Sequence, residues 1–413
     1  MQPIPPWVWA LPFAGLVASF ALVPLAAPRW WHRHESHVAL GWALALLGPR
    51  ALVLGPQDAA LEAWRLILAD YLPFIALIAA LYAAGGGVLI RGLSRGTPAG
   101  NVVVLALGTL TAGLVGTAAA SLLLIHPLLR ANAHRRRRFH LVLGFILLVA
   151  NAGGALSPLG PPLFLGFLRG VPFFWPLRRL GPAVALVAAM VLGWVWGVDR
   201  ILARSEPPAP PRARFRLRGA GNLVLAVGLA LSVVAEGWWP GPTLRMAGAT
   251  IPAGQFAGVG ACLMALAASA AFTPAAVRRA NDFSWRPMAD VAWFFLALFV
   301  TLGPIAALLT ARAVPPGALF WLTGGLSAML DNAPSYLLGW HLAGGMSGGA
   351  GLASVSAGAV FFGGLTYLGN APNLVVRAVA AHGGVRMPGF LAYAAWAALG
   401  LGPALLLLAW WFG

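Results

Sequence analysis

The sequence has few charged residues, a single cysteine and no lysine. Only 9% of its 413 residues are charged, against roughly 25% in a soluble globular domain. Because Cys262 is the only cysteine, an intrachain disulfide and a cysteine metal cluster are excluded, and the redox compartment stays open. Walker, zincin, nucleophile-elbow and dinucleotide-binding motifs are also absent. We therefore expect no cofactor and no catalytic residues, and neither an ATP-driven pump nor a familiar hydrolase.

Apolar residues dominate instead. They form 60% of the chain, and the mean hydropathy is +0.83, so the chain needs lipid around it. The formal net charge of +17 comes from arginines in short clusters between apolar runs. Such clusters act as topology signals, and we expect no nucleic-acid binding. Residues 1–9 contain no basic segment, so we interpret the first apolar run as a retained span.

Apolar segments of spanning length predict an all-α polytopic membrane protein with ten transmembrane helices. They cover about residues 8–26, 38–55, 64–90, 139–168, 180–199, 219–237, 254–276, 288–311, 354–380 and 388–411. Two further segments, about 98–128 and 317–345, are rich in Gly, Ala and Ser and contain a polar break. They predict re-entrant hairpins.

The order of these segments predicts two repeats of opposite orientation. Residues 1–200 and 219–413 each contain three spans, a hairpin, an interrupted span and a last span, joined by a linker at 201–218. An odd number of crossings in each half inverts the second half. With the N-terminus outside, 20 of the 27 arginines fall in cytoplasmic loops, as the positive-inside rule requires. We expect a multi-pass protein of the bacterial inner membrane with both termini outside and the linker in the cytoplasm.

Paired motifs support the duplication. They recur in the same order at a nearly constant offset: Gly153–Pro162 with Gly363–Pro372, Thr117–Ser121 with Thr323–Ser327, and Ala69-Asp70 with Ala289-Asp290. The first pair interrupts a span in each half. In lipid, the backbone groups freed by Gly and Pro must find protein partners or line a cavity.

The interrupted spans carry side chains that can replace the hydration shell of an ion. The candidates are Asn151, Ser157, Thr366, Asn370 and Asn373. The alternative is a packing kink, with small residues where two helices cross. Two breaks at equivalent positions favour a binding site near the middle of the membrane.

The second hairpin contains Ser327, Asp331 and Asn332 in the run SAMLDNAP. A carboxylate in a membrane-embedded segment is costly and is a functional candidate. Capping of a helix by Asp331 is the structural alternative, and the two roles can coexist. At this place the first hairpin offers Leu124–Pro127, which includes His126. One carboxylate with no arginine nearby in the sequence favours a cation or a proton, which could compete for the same group.

Four more titratable residues are candidates for a proton pathway: His126, Asp70, Asp290 and Glu236. Packing of His126, an interfacial position for Glu236 beside two tryptophans, and helix-dipole stabilisation of the two aspartates are the alternatives. His32, His34, Glu35 and His37 could hold a divalent metal, but no spacing fixes a geometry, and a solvated loop is the simpler interpretation. Arg135–Arg138 are expected to contact anionic lipid headgroups.

The runs SAMLDNAPSYL, GGLTYLGNAPNLV and NAGGALSPLGPP, with DVAWFF from Asp290, resemble the ion transporter superfamily. It includes arsenite permeases, citrate and dicarboxylate carriers and NhaD-type sodium/proton antiporters. The resemblance implies a scaffold and a mobile transport domain, often in a homodimer, with ion-site residues at Asp331, Asn332, Asn370 and Asn373. The Asp-Asn-Ala-Pro tip is closer to the antiporter branch than to the Ser-Asn-Thr tip of the dicarboxylate branch.

Three functions remain as hypotheses. The first is a cation/proton antiporter, with Na⁺ and H⁺ as the exchanged ions and lipids as the other partners. The second is a carrier of citrate or of another organic or inorganic anion such as arsenite, including an anion carried as a metal complex. The third is a non-transporting membrane scaffold or an intramembrane enzyme.

Overall fold

The computed structural model describes residues 5–211, 213–246, 248–309, 314–345 and 349–412. Arg212, within the predicted linker, and Arg312 lie outside these ranges. Ten helices in the described part are long and apolar enough to cross a membrane. The expectation of an all-α polytopic membrane protein is therefore confirmed.

The described part of the first half contains nine α-helices. They are α1 (Leu11–Ala26), α2 (Pro28–Leu54), α3 (Pro56–Leu66), α4 (Leu72–Gly86), α5 (Pro98–Val115), α6 (Thr117–Ala131), α7 (Phe139–Leu148), α8 (Pro161–Phe167) and α9 (Trp175–Ala203). A π-helical turn, Ile67–Tyr71, joins α3 to α4, and a 3₁₀ turn, Pro6–Ala10, precedes α1. Helices α5 and α6 reverse direction at Gly116 and form the first hairpin.

The second half has matching elements. They are α10 (Ala220–Trp238), α11 (Ala253–Phe272), α12 (Ala275–Ala280), α13 (Arg286–Leu309), α14 (Pro316–Leu330), α15 (Asn332–Leu342), α16 (Ala350–Phe361), α17 (Ala371–His382) and α18 (Phe390–Phe412). Helices α14 and α15 form the second hairpin around Asp331. At 1.5 Å per residue they rise about 22 and 16 Å, short of the roughly 30 Å hydrocarbon core.

Both interrupted helices contain the predicted break. Helix α7 ends at Leu148, a 3₁₀ turn follows at Ala152–Leu156, and α8 resumes at Pro161. Helix α16 likewise runs into a 3₁₀ turn, Phe362–Leu365, before α17 begins. Paired glycines permit each turn, and proline in the first turn starts each new helix, where its missing N–H costs nothing.

Equivalent elements of the two halves exchange partners. Helix α4 packs against α11, and α13 packs against α2. The second arms of the hairpins do the same, since α6 packs against α17 and α15 packs against α8. Each contact is reproduced when the halves are interchanged, so the molecule has the contact pattern of a twofold arrangement.

Two short antiparallel sheets tie loops together. Strand β1 (Leu89–Arg91) pairs with β2 (Arg216–Arg218), so the segment between the halves returns to the end of α4. Strands β3 (Thr243–Met246) and β4 (Ala249–Pro252) form a hairpin between α10 and α11.

The segment predicted as a loop at His32–His37 is helical, because α2 begins at Pro28 and no glycine or further proline interrupts it before Gly41. Among the described residues, no group of three or more His, Cys, Asp or Glu side chains could hold a metal ion.

A buried polar cluster fixes the base of the first hairpin. Asp199 of α9 is fully buried, forms an ion pair with Arg135 and hydrogen bonds with His140 at 2.8 Å and Asn101 at 2.9 Å. Asn101 and Asn132 also exchange two side-chain hydrogen bonds. Arg135 is only 3% exposed, so its expected contact with lipid headgroups is wrong. A buried arginine requires an anionic partner, and Asp199 supplies it.

Glu206, in the segment after α9, is bound by backbone amides next to this cluster. Its carboxylate accepts hydrogen bonds from the amides of Arg136 and Arg137, at 2.7 and 2.9 Å. Desolvation raises the pKa of Glu206, but these two bonds and the nearby arginines outweigh it, and the pKa lies below its ordinary value. The carboxylate is therefore ionised at neutral pH and attaches the segment after α9 to the loop before α7.

Replacing Asp199 by alanine would leave Arg135 buried without its counter-ion. We expect a loss of about 3–5 kcal/mol of stability, the usual cost of breaking a buried ion pair from one side. Thermal unfolding in detergent measures it. Asp58→Ala, at an exposed position in α3, is the matched control and should change stability by less than about 0.5 kcal/mol. Equal melting temperatures for the two variants would contradict this prediction.

Candidate functional site

The two interrupted helices meet at a cluster of three asparagines. The Asn151 side chain donates to Asn373 Oδ1 at 2.8 Å, and the Asn370 side chain donates to Asn151 Oδ1 at 3.3 Å. All three side chains are at most 1% exposed. The sequence predicted each of them as a site residue, and the structure brings them together across the halves.

These amides also satisfy carbonyl groups at the breaks. Four carbonyls accept hydrogen bonds of 2.7–2.9 Å from them, those of Ile146, Ala150, Gly363 and Thr366. A Cβ at Gly363 would lie 2.6 Å from Asn151 Oδ1, so the close approach of chain and amide requires glycine. The cluster thus holds the two breaks in one fixed arrangement.

The predicted hydroxyl residues Ser157, Thr366 and Ser327 form hydrogen bonds within the breaks and the second hairpin. The Ser157 hydroxyl accepts a hydrogen bond from the amide of Leu159, and the Thr366 hydroxyl accepts one from the amide of Leu368. Both breaks thus contain the same kind of turn, in which a hydroxyl binds the amide two residues later. Thr366 also donates to the Ala328 carbonyl, and Ser327 donates to the Ala359 carbonyl at 2.6 Å. These two bonds attach the second hairpin to the second interrupted helix.

Asp331 lies at the tip of the second hairpin and bridges two helix N-termini. Its Oδ1 accepts from the amide of Ala333 in α15 at 3.1 Å, and its Oδ2 accepts from the amide of Ala371 in α17 at 3.0 Å. Among the described residues, no arginine or histidine lies within 4 Å of this carboxylate. Helix N-termini carry partial positive charge, so capping and anion stabilisation occur together here.

The backbone of Asp331 is strained. Its φ of +109° and ψ of +147° lie in a region that is essentially restricted to glycine, at a cost of about 1–3 kcal/mol. The equivalent tip of the first hairpin is Gly116, with φ +78° and ψ +157°. The sequence alignment of this tip with His126 is therefore wrong, because the first hairpin turns ten residues earlier. A side chain retained where glycine would relieve strain indicates a functional role for the carboxylate.

A cavity of about 970 Å³ opens beside Asp331. Its lining includes Asp331 and Asn370, together with Asp290 of α13 and Glu35 of α2. Asp290 and Glu35 share a side-chain hydrogen bond, and Arg286 lies 4.0 Å from Asp290. The hairpin tip, the second break and helices α2, α4 and α13 therefore all contribute to the lining of one cavity.

Several polar lining residues were not predicted as ion-site or proton-pathway residues. They include Glu35, Ser121, Arg286, Arg377 and His382. Arg377 follows Asn373 by one helical turn, a spacing that could have placed it on the same side of α17. Glu35 was assigned to a loop, and Ser121 only to a repeat motif. Its position in the cavity depends on how α6 packs against α17, which no local pattern encodes.

Several buried polar atoms in this region have no hydrogen-bond partner within the described structure. They are Oδ1 of Asn332 at the second tip and the hydroxyl groups of Thr117 and Ser121 after the first tip. Each residue is at most 2% exposed. Buried polar atoms ordinarily find partners, so these three oxygens are available to a bound ion or substrate.

Three predicted proton-pathway residues lie away from the cavity lining. His126 is bonded to the carbonyl of Asn281 at 2.9 Å, and Asp70 forms an ion pair with Arg169 at 3.2 Å. Glu236 is half-buried in α10 opposite Gly258 of α11. Of the four candidates, Asp290 alone belongs to the described lining, and a role in proton transfer stays a prediction for all four.

A comparison with protein families assigns the chain. The model of a family described as "Putative citrate transport" matches residues 2–412. The chain belongs to this citrate transport family. It is a multi-pass membrane transporter, as the resemblance to the ion transporter superfamily implied, and not an enzyme. A comparison with curated proteins finds no match.

In this transporter the strain at Asp331 yields a test. Asp331→Gly relieves the unfavourable backbone and removes the carboxylate, and glycine is itself an acceptable N-cap. We expect a stability within about 1 kcal/mol of the parent and no transport. Asp331→Ala keeps the strain and loses both caps, so it should be the less stable variant.

Thermal unfolding in detergent and substrate uptake into proteoliposomes measure the two effects separately. Gly325→Ala, at a position with open space around the added methyl group, is the control in the same hairpin. Full transport by Asp331→Gly would show that transport does not require the carboxylate, whose role would then be capping alone.

Proposed function

We propose that this transporter carries a polycarboxylate of the citrate class, coupled to a cation that binds at Asp331. The cavity volume of about 970 Å³ is the observation that carries the proposal. It lies at the upper end of the 300–1,000 Å³ typical of small-molecule sites, whereas a bare ion needs only a cage of a few oxygen atoms. The description of the matching family supports the same substrate class.

The coupling cation follows from the charge of Asp331. Asp331 is 8% exposed, and within the described structure backbone amides are the hydrogen-bond donors to its carboxylate. A cation reaching Asp331 would neutralise it and would lower the cost of bringing an anionic substrate into the same cavity. Neutral oxygens at Asn332 and Asn370 are the other ligands we propose for it, and Na⁺ and H⁺ are the cations we expect to compete there.

Transport then occurs by alternating access between two halves of opposite orientation. The reciprocal packing of α4 on α11 and of α13 on α2 supports the duplication. The odd number of crossings and the 20 arginines on one side support inversion, with both termini outside a bacterial inner membrane. The hairpins and interrupted helices form the proposed moving unit, and we retain the homodimer as part of the proposal.

Exchange of Na⁺ for H⁺ without an organic substrate is the second candidate. The absence of a cationic partner for Asp331 in the described structure favours it. In this alternative Asp331 binds Na⁺ on one side of the membrane and returns protonated from the other. The large cavity would then serve as a hydrated access route.

Proteoliposomes containing the purified protein distinguish the two candidates. We expect uptake of labelled citrate when a Na⁺ or proton gradient is imposed, and at least a 100-fold lower rate for Asp331→Asn, which cannot supply the charge; such a loss corresponds to about 2.7 kcal/mol. Na⁺-driven proton movement without citrate would support the antiporter instead. Citrate uptake that is indifferent to every cation gradient would contradict coupling at Asp331.

A further inference from the structure

Arg377 is held in a fixed position on the cavity wall. Its guanidinium carbon lies 4.4 Å from the centre of the Tyr367 ring, and both residues line the cavity. The Tyr367 hydroxyl donates to the Pro388 carbonyl at 3.1 Å, and its ring stacks on Tyr393 with 3.9 Å between centroids. A cation above a ring that is itself held on two sides has little freedom to move.

This arginine has no anionic partner in the described structure. No carboxylate lies within 4 Å of it, whereas the other arginine in the lining, Arg286, pairs with Asp290. His382, the remaining basic residue of the lining, is exposed in the last turn of α17. A guanidinium presents five N–H donors in a planar fork that matches a carboxylate. Arg377 is thus the cavity cation whose donors are available to an anion.

The spacing along α17 relates Arg377 to the cation site. Asp331 is bonded to the amide of Ala371, and six residues later the helix has risen about 9 Å to Arg377. Leu374 and Ala378 line the cavity on the same helix. This segment of α17 therefore has an acidic group at its start, the apolar side chain of Leu374 in the middle and a guanidinium at its end.

We propose that Arg377 binds a carboxylate of the transported polycarboxylate, while a second carboxylate contacts the cation held at Asp331. This inference rests on the proposed function and adds the residue that selects the substrate. Substrates with at least two carboxylates satisfy both ends of this segment, and the carbon chain between them lies along Leu374. A monocarboxylate leaves one charged end without a partner, so it should bind weakly.

The test compares Arg377→Gln with Arg200→Gln in citrate uptake by proteoliposomes. Arg200 also lies over an aromatic ring, that of Trp196 at 5.1 Å, but it is outside the described lining of this cavity. Loss of a charge-assisted hydrogen bond should raise the KM for citrate about 10- to 100-fold in Arg377→Gln. Arg377→Lys keeps the charge and loses the fork, so its KM should be intermediate. The control should have the KM of the parent.

A competition series adds a readout that a purely structural role would not change. Tricarballylate, succinate and acetate compete with labelled citrate, and the parent should prefer them in that order. In Arg377→Gln the three competitors should differ less in their inhibition of citrate uptake, because the residue that distinguishes them is removed. One result would overturn this inference and leave the proposed function intact. In it the parent takes up citrate, and Arg377→Gln has the same KM and the same order of competitors as the parent. A parent without citrate uptake would overturn both.

Discussion

Lipid offers no hydrogen bonds, and this constraint governs the centre of the molecule. Each interruption frees backbone groups that a straight helix would satisfy, and inside a bilayer they cost several kcal/mol each, on the order of the penalty for an unpaired amide in hydrocarbon. Asn151, Asn370 and Asn373 supply the partners, reaching four carbonyls and one another. These amides replace the lost backbone hydrogen bonds, and the transporter can therefore contain a polar interior between its broken helices.

The same constraint explains how Asp331 is accommodated. Two helix N-termini stabilise its carboxylate, and no arginine neutralises it within the described residues. An ion pair would occupy the charge permanently, whereas amide groups stabilise it and leave it able to bind a cation. The strained backbone at this tip has the opposite effect on stability, because it makes the position costly for any residue except glycine.

Patterns that depend on neighbouring residues were readable in the sequence. Long apolar runs predicted the spans, and glycine and proline inside them predicted both breaks, because these residues act on their own backbone. The polar break of the second hairpin and the resemblance indicated its tip. The helix through His34 and Glu35 was missed, since a cluster of polar residues resembles a loop when its neighbours in space are unknown. Gly116 was missed as the first tip because it is one of 51 glycines and no side chain distinguishes it.

Contacts between distant segments were beyond the sequence. Arg135 and Arg138 stand in one run of four arginines, yet Arg135 is buried against Asp199, 64 residues later. Arg377 was one of the 20 arginines that the sequence assigned to cytoplasmic loops, although it lines the cavity. In both cases the packing of helices decides the role of the side chain, and the local pattern contains no information about that packing.

The buried cluster around Asp199 makes the two halves mechanically unequal. The ion pair and the amide pair join α5, α6, α9 and the start of α7, while residues 314–345 and 349–412 contain no ion pair at the corresponding helix ends. Bending at the base of the first hairpin would have to separate desolvated charges, and bending at the second would not. Among the described residues, a buried ion pair holds the base of the first hairpin and none holds the base of the second, so we expect the second base to bend more easily.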